Sequence, residues 1–335
     1  MDAVRDLFGS RGIPLHLAEH IFYLAGPGAL TSVRCTNKTN AEAYSGVALS
    51  LARRGQWLCR ADSPELLQFA VEHRLRCLRF APNSINSTSR PQVATLEWLR
   101  ELYIDYTYNS RLTFADNFEL PPRLAVLELK NLRLQALPPL PDATLERLVW
   151  CEPGGAELVF RTGPLPSSLL HLQCDLGSPI ELPDLPPFLQ HLDLGHSLLS
   201  TGTLPTLPAT LKHLSCVHCN LTHLPDDLPP SLVHLDCASN RLPALPALLP
   251  LQLRHFTCSY NRLTILPVLP DTLQHLDCSF NALTAPLPDL PDSLVHLDCH
   301  RNHLTALPAL PARLTHLDCS NNPLVGFPDP LPPGL

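Results

Sequence analysis

A short apolar motif recurs along most of this chain at a nearly fixed spacing. The pattern LxxLxLxxNxL, with cysteine often in place of the third leucine, begins at leucines that are mostly 20–22 residues apart: Leu124, Leu145, Leu169, Leu189, Leu211, Leu232, Leu253, Leu273, Leu294 and Leu314. Two more divergent copies begin near Leu75 and Leu99. Arrays of short repeats grow by stacking, so the 335-residue length is compatible with a single array.

This period and pattern are typical of leucine-rich repeats. Each unit is expected to open with a short strand, on which positions 1, 4 and 6 point into the core and positions 3 and 5 point outward. An asparagine at position 9 is placed to pair with backbone groups of neighbouring turns. It occurs at Asn240, Asn261, Asn281, Asn302 and Asn322.

The return stretch of each unit reads LPxLPxxL, as at 266–273. Two prolines so close together exclude a regular helix and favour extended or polyproline II backbone. The predicted fold is therefore an α/β-type repeat solenoid. It is a leucine-rich-repeat horseshoe with a parallel β-sheet on its concave face, an extended convex side and a small helical N-terminal domain.

The sequence LPxLPxxLxxLxxxxNxLxxLP over roughly residues 124–328 resembles the LPX-type repeats of bacterial effector families, the invasion-plasmid-antigen and YopM proteins. That resemblance implies the repeat fold and a binding role. One branch of these families carries a C-terminal ubiquitin-ligase domain with a catalytic cysteine. This chain ends directly after its last repeat, so we do not carry that ligase activity over.

Cysteine fills position 6 in most of the later repeats. The members of this column are Cys174, Cys216, Cys237, Cys258, Cys278, Cys299 and Cys319. Position 6 faces the predicted core, where cysteine is a small and readily buried residue. A disulfide ladder is disfavoured by the geometry of parallel neighbours, and a catalytic thiol would need exposure and a lowered pKa. We interpret the column as core packing.

Two polar columns lie on the predicted concave face. Position 3 is histidine at His171, His191, His213, His234, His255, His275, His296 and His316. Position 5 is aspartate at Asp193, Asp236, Asp277, Asp298 and Asp318. Three interpretations remain open: polar positions inherited by duplication, a partner-binding surface tuned by histidine, and metal binding. A row of equivalent histidines does not define one closed set of four metal ligands, so we predict no metal site and no cofactor.

Aromatic residues break the pattern at position 8 of two adjacent repeats, Tyr260 and Phe280, near His218 and Arg301. Their expected place is the edge of the concave sheet. They are candidates either for a binding hot spot or for ordinary edge packing.

The N-terminal segment does not follow the repeat. We assign residues 1–60 to a helical domain, 61–74 to a linking helix that Ser63 caps, 75–328 to a solenoid of about twelve repeats, and 329–335 to a C-terminal tail. Leu17, Ile21 and Leu24 fall at helical spacing. One interpretation is a cap that covers the first repeat.

The stretch 12–53 also resembles an F-box, through its Ile-Pro opening, its His-Ile-Phe-x-Leu run and a following Leu-x-x-Val-Arg-x-x-Asn-Lys. In that family the F-box docks on the adaptor of a cullin-type ubiquitin ligase, and the repeats that often follow it hold the substrate. The resemblance implies that the adaptor would contact Pro14, Leu17, Ile21, Phe22 and Leu24.

Composition narrows the function classes. The net charge of −7 disfavours a nucleic-acid partner, and no apolar run is long enough for a membrane span or a secretory signal. Twelve cysteines then indicate a reducing, cytoplasmic location, with a nuclear or a secreted-effector location also open. No nucleophile–base set occurs, so we expect a non-enzymatic protein-binding chain. It is either an F-box-like substrate receptor or a scaffold or effector whose N-terminus caps the repeats.

Overall fold

The computed structural model describes residues 22–24, 32–33, 57–60, 74, 76–80, 96–105, 119–132, 137–151, 164–177, 180–284 and 286–335. The chain divides into two compact units, Met1–Leu132 and Arg133–Leu335.

The first unit contains six described strands. They are β1 (Phe22–Leu24), β2 (Ser32–Val33), β3 (Trp57–Arg60), β4 (Cys77–Phe80), β5 (Glu101–Asp105) and β6 (Val126–Lys130). β1 pairs antiparallel with both β2 and β3, whereas β3, β4, β5 and β6 pair with one another in parallel sequence order. The core of this unit is built from fully buried leucines such as Leu78, Leu102 and Leu127.

The helical N-terminal domain is not supported, because the described residues contain no helix. Where helix was expected at Phe22 and Leu24, the backbone forms strand β1. The run of isoleucine and aromatic residues at 21–23 explains this. Aromatic and β-branched side chains favour a strand, and here that preference outweighs the helical spacing of the apolar residues. Pro14, Leu17, Ile21 and nearly all of the expected linking helix at 61–74 lie outside the described residues.

The second unit is a parallel-strand solenoid of about nine turns. Its strands are β7 (Arg147–Cys151), β8 (His171–Asp175), β9 (His191–Asp193), β10 (His213–Ser215), β11 (His234–Asp236), β12 (His255–Thr257), β13 (His275–Asp277), β14 (His296–Asp298) and β15 (His316–Asp318). Each strand pairs with the next in register, so that equivalent repeat positions lie side by side, as His275 lies beside His296.

The inward and outward positions of the repeat are as predicted. The position 1 leucines from Leu124 to Leu314 are all fully buried, and Phe256, the position 4 residue of β12, has no exposed surface. The three-residue strands β9–β11, β13 and β14 show half-buried residues on either side of a buried central residue. The five-residue strand β8 alternates in the same way, with Leu172 and Cys174 buried. The core of the second unit is thus a column of apolar side chains that extends from turn to turn.

The position 9 asparagines tie adjacent turns together, also as predicted. The Asn261 side-chain nitrogen donates to the carbonyls of Cys237 in the preceding turn and Cys258 in its own turn, at 2.9 and 3.1 Å. Its side-chain oxygen accepts from the Leu242 backbone N–H at 3.0 Å. These backbone groups lie beyond the ends of the strands, where strand pairing no longer provides partners. Each such asparagine therefore supplies hydrogen bonds that buried backbone groups would otherwise lack.

The return stretches contain no helix among the described residues. Instead, the second proline of each LPxLPxxL run opens a tight turn, and its carbonyl accepts from the N–H of the next position 1 leucine. Examples are Leu273 N to Pro270 O at 3.0 Å and Leu294 N to Pro291 O at 2.9 Å. The lack of helix in these described stretches agrees with the expected effect of the paired prolines. The described residues include no helix that is long and apolar enough to cross a membrane.

Candidate functional site

The eight position 3 histidines form a continuous ladder on the outward side of β8–β15, here called the histidine face. Neighbouring rings stack nearly in parallel along most of it, as His191 and His213 do, with centroids 4.0 Å apart and planes 4° apart. The ladder opens at His255, whose ring is 5.7 Å from that of His234 and 5.9 Å from that of His275. The rings are half-buried except at His255 and His316, which are exposed.

Burial and stacking favour the neutral form of the six half-buried imidazoles, since they lower the pKa of each. Desolvation, followed by the neighbouring histidines, lowers the pKa of His234 to about 4. Desolvation is also the largest cause that lowers the pKa of His213 to about 4 and of His171 to about 3. The carboxylates of the aspartate column oppose this shift, as Asp193 does at His213, but they act more weakly than the loss of water around the rings.

The aspartate column has a local structural role that the sequence analysis missed. The Asp236 Oδ1 atom accepts from the Ala238 N–H at 3.0 Å, and Asp277 and Asp318 make the same bond two residues on. This is an Asx turn, which ends the strand and starts the descent into the return stretch. The recurring aspartate two residues before a small residue is the sequence pattern that could have predicted this turn.

The position 6 cysteines fill the core. Cys174, Cys216, Cys237, Cys258, Cys278 and Cys299 are fully buried, and Cys319 in the last turn is partly exposed. Burial raises the pKa of Cys258 and Cys278 well above the usual range, which opposes formation of a reactive thiolate. The seven are reduced thiols, and several donate weakly to the next strand, as Cys237 Sγ does to Thr257 O at 3.4 Å.

The aromatic pair at position 8 forms a compact exposed cluster. The rings of Tyr260 and Phe280 stack with centroids 3.8 Å apart, and the Arg301 guanidinium carbon lies 4.8 Å from the centre of the Phe280 ring. Tyr260 is 51% exposed. His218 lies two repeats away, where its ring contacts that of His196 instead.

Position 8 also has an unusual backbone that the sequence analysis missed. Its residues adopt positive φ, including Tyr260 at 53° and Phe280 at 50°. Bulky residues are rare in this left-handed region, whereas asparagine, which is the equivalent residue of the last turn at Asn321, adopts it more readily.

Two earlier repeats have another residue in place of the position 9 asparagine. Ser197 and Cys219 occupy this position, and their side chains donate to a backbone carbonyl of the preceding turn as the asparagines do. A hydroxyl or thiol at that position was the available signal.

Comparisons with known proteins support the repeat assignment. The family model described as Leucine Rich Repeat matches residues 313–335. No curated protein matches the sequence.

Solved structures extend the likeness to most of the chain. YopM from Yersinia enterocolitica is 28% identical, with a TM-score of 0.54 over 78% of this chain and 61% of that one. CroV588, a circular leucine-rich-repeat protein, is 26% identical, with a TM-score of 0.52 over 73% of this chain and 36% of that one. The YopM leucine-rich effector from Yersinia pestis is 24% identical, with a TM-score of 0.45 over 89% of this chain and 98% of that one.

The chain thus has a leucine-rich-repeat solenoid similar to that of YopM-like bacterial effectors. It spans less than two thirds of the length of the Yersinia enterocolitica protein.

Proposed function

We propose that this chain is a non-enzymatic protein-binding scaffold or effector that holds a partner protein on the histidine face. The observation that carries the proposal is the in-register histidine ladder of β8–β15, which presents a long and regular surface with repeated imidazole edges. A solenoid offers such a surface without a deep pocket, and extended surfaces of this kind bind macromolecules. Leucine-rich-repeat proteins generally bind protein partners.

The chemistry of the face favours a polar partner surface with some positive charge. Neutral imidazoles each offer one donor and one acceptor, and the adjacent carboxylates of Asp193, Asp236 and Asp277 add negative charge. The chain as a whole carries a net charge of −7. Lysine or arginine side chains of a partner would therefore be attracted to the face.

The Tyr260–Phe280–Arg301 cluster is the proposed anchor for that partner. Tyrosine and arginine are the residue types that most often dominate binding energy at interfaces. The stacking between Tyr260 and Phe280 fixes both rings before any partner arrives, which lowers the entropy lost on binding.

A non-enzymatic role fits the state of the nucleophiles. The position 6 thiols are buried and their pKa values are raised, so they lack the exposed thiolate that covalent catalysis needs. A cytoplasmic location remains part of this proposal, because those thiols would stay reduced there.

Capture of partners with matched variants tests the proposal. The immobilised full chain is compared with a face variant, His255→Ala with His275→Ala, and a control variant, His223→Ala with His303→Ala, whose histidines lie outside the ladder. Bound proteins are quantified by mass spectrometry. We expect the wild type and the control variant to capture the same specific proteins. The amount of these proteins captured by the face variant should be lower by at least about tenfold. Equal capture by all three forms would contradict binding on the histidine face.

A second proposal is that the chain is a substrate receptor of a cullin-type ubiquitin ligase. Its support is the F-box-like pattern at 12–53 ahead of the repeats, and the strand at Phe22–Leu24 counts against a helical F-box. The test is binding of the full chain to the ligase adaptor subunit, with Ile21→Asp as the variant. Binding that this variant abolishes while the repeats stay folded would support it, and absence of binding by wild type would exclude it.

A further inference from the structure

Among the turns from β9 onward, one departs from the others at position 7. This position holds a small residue in the other turns from β9 onward, at Gly195, Val217, Ala238, Ser259, Ser279 and Ser320, and it holds His300 in the turn after β14. In a regular array, a departure from the local rule is where a functional site is expected. The imidazole of His300 lies outside the histidine face and next to two carboxylates.

Three side chains converge around this imidazole. His300 Nδ1 lies 2.6 Å from Asp298 Oδ1 and 3.9 Å from Asp318 Oδ2. One ligand atom from each of the three residues lies within 4.8 Å of the other two. Among the described residues this is the one such group of three. The side chains are 21%, 22% and 41% exposed in the order His300, Asp298 and Asp318, so that a hydrated cation can reach them.

The surrounding structure holds each of the three groups in place. Asp298 and Asp318 end β14 and β15 as paired residues, which fixes their carboxylates one strand spacing apart. The Oδ1 atom of each carboxylate accepts a backbone N–H two residues on, at 3.1 Å for Asp298 and 3.0 Å for Asp318. The His300 and Phe280 rings make an edge-to-face contact, with centroids 4.7 Å apart and planes 80° apart. Support of this kind orients metal ligands before binding.

We propose that Asp298, His300 and Asp318 form a binding site for a divalent transition cation, with Zn²⁺ as the representative ion. An imidazole with carboxylates is a donor set that suits zinc, whereas calcium and magnesium favour oxygen alone. Bonds of about 2.0–2.2 Å in a tetrahedral site place ligand atoms about 3.3 Å apart. The observed separations of 2.6 and 3.9 Å bracket that value.

The ion would join the last two strands. It takes the place of the hydrogen between His300 Nδ1 and Asp298 Oδ1. That hydrogen leaves Nδ1 to solvent, and the neutral imidazole takes up one proton at Nε2, so that Nδ1 is free to bind the ion. Asp318 then binds from the neighbouring turn, and water completes the coordination. The site is a cross-strand clamp at β14 and β15. His300 packs against Phe280 of the proposed anchor, but zinc binding is measured without any partner, so failure of the site would leave the proposed function untouched.

Zinc titration of the full chain after treatment with a chelator tests the site. Calorimetry measures affinity, and thermal unfolding measures stabilisation, with Mg²⁺ and Ca²⁺ as comparison ions. The central variant is His300→Ser, because serine is the residue that other turns carry here and Ser279 makes the equivalent bond to Asp277 at 2.7 Å. The variant is therefore expected to fold. Asp318→Asn is the second variant, and His303→Ala controls for adventitious binding to an exposed histidine.

We expect wild type and His303→Ala to bind one Zn²⁺ more tightly than Mg²⁺ or Ca²⁺ and to unfold at a higher temperature with it. His300→Ser and Asp318→Asn are expected to lose at least about tenfold in affinity. Zinc binding that is equal in wild type and His300→Ser would place the ion elsewhere, for example on the histidine face, and would overturn the proposal. Absence of binding by wild type at about 100 μM Zn²⁺, where a 10 μM site would be nearly filled, would also overturn it.

Discussion

The imidazole rings of His275 and His296 lie face to face, with centroids 4.1 Å apart and planes only 5° apart. Two protonated rings could not share this arrangement without strong repulsion, and burial further disfavours the charged forms. Desolvation accordingly lowers the pKa of both residues, and the neighbouring histidines lower it further. The face can therefore keep its geometry only while most of its histidines are neutral.

Acid is expected to destabilise the solenoid. A histidine with a folded-state pKa of about 4, as for His213 and His234, binds fewer protons folded than unfolded between that value and about 6.5. Stability is then fully present above pH 6.5 and falls as the pH drops toward 4. We predict that the thermal midpoint decreases by several degrees from pH 7.5 to pH 5.

The matching variants are His213→Gln with His234→Gln, and His223→Gln as an exposed control. The double variant should flatten the pH dependence of the thermal midpoint, and the control should retain the wild-type profile. The Asp236 pKa is raised, mainly by desolvation, and acts in the opposite direction at the acid end of the range. A midpoint that rises as the pH falls from 7.5 to 5 would contradict the neutral ladder.

Loss of one position 9 asparagine should weaken the whole stack. Asn261→Ala removes the acceptor of the Leu242 N–H and the donor to the Cys237 and Cys258 carbonyls. Leaving such groups buried without partners costs about 1–3 kcal/mol each, so we predict a loss of roughly 2–4 kcal/mol in the free energy of unfolding. Denaturant titration measures it. Asn321→Gly is the control, because it removes a more exposed amide, and glycine tolerates the φ of 57°.

The position 6 thiols should resist modification in the native protein. The predicted outcome of brief maleimide treatment followed by peptide mapping is no label on Cys216, Cys237, Cys258 and Cys278, which have no exposed surface. The partly exposed Cys319 serves as the internal positive control. Denatured protein should label at all of these positions, and native labelling of Cys258 as fast as that of Cys319 would contradict the core assignment.

The single aromatic residue at position 4, Phe256, provides a test of core continuity. It lies between Leu235 and Leu276 on the neighbouring strands and is fully buried. Phe256→Ala should lower the free energy of unfolding by about 3–5 kcal/mol, because the neighbouring repeats on both sides cannot move in to fill the cavity. Denaturant titration measures this loss. Phe256→Leu restores the consensus residue of the repeat and should lose much less. Equal losses for the two variants would indicate that volume at this position is not what matters.

The parts of the fold that follow from periodicity were predictable from sequence. Alternation along each strand places Leu273 and Cys278 in the core, and proline spacing excludes helices on the return side. The N-terminal strand at Phe22–Leu24 was not predicted, because a helical spacing over three apolar residues is weak against the strand preference of aromatic side chains.

The histidine face was found as a column, but its physical state was not. Sequence spacing places His213 beside His234, yet it cannot say whether the rings stack or turn outward, and that choice decides their protonation. The site at His300 was missed because it joins residues of two turns, Asp298 and Asp318, around a residue that looks like a single departure from the repeat.

The most direct test of a partner-binding histidine face is site-specific photo-cross-linking. A photoreactive amino acid is placed at position 255 of the full chain, on the exposed part of the ladder, and at position 223 as the control outside it. Both forms are irradiated in the extract used for capture. We predict that position 255 forms a cross-link to one of the captured proteins and that position 223 forms little or none. Equal yields, or a cross-link from position 223 alone, would contradict binding on the histidine face.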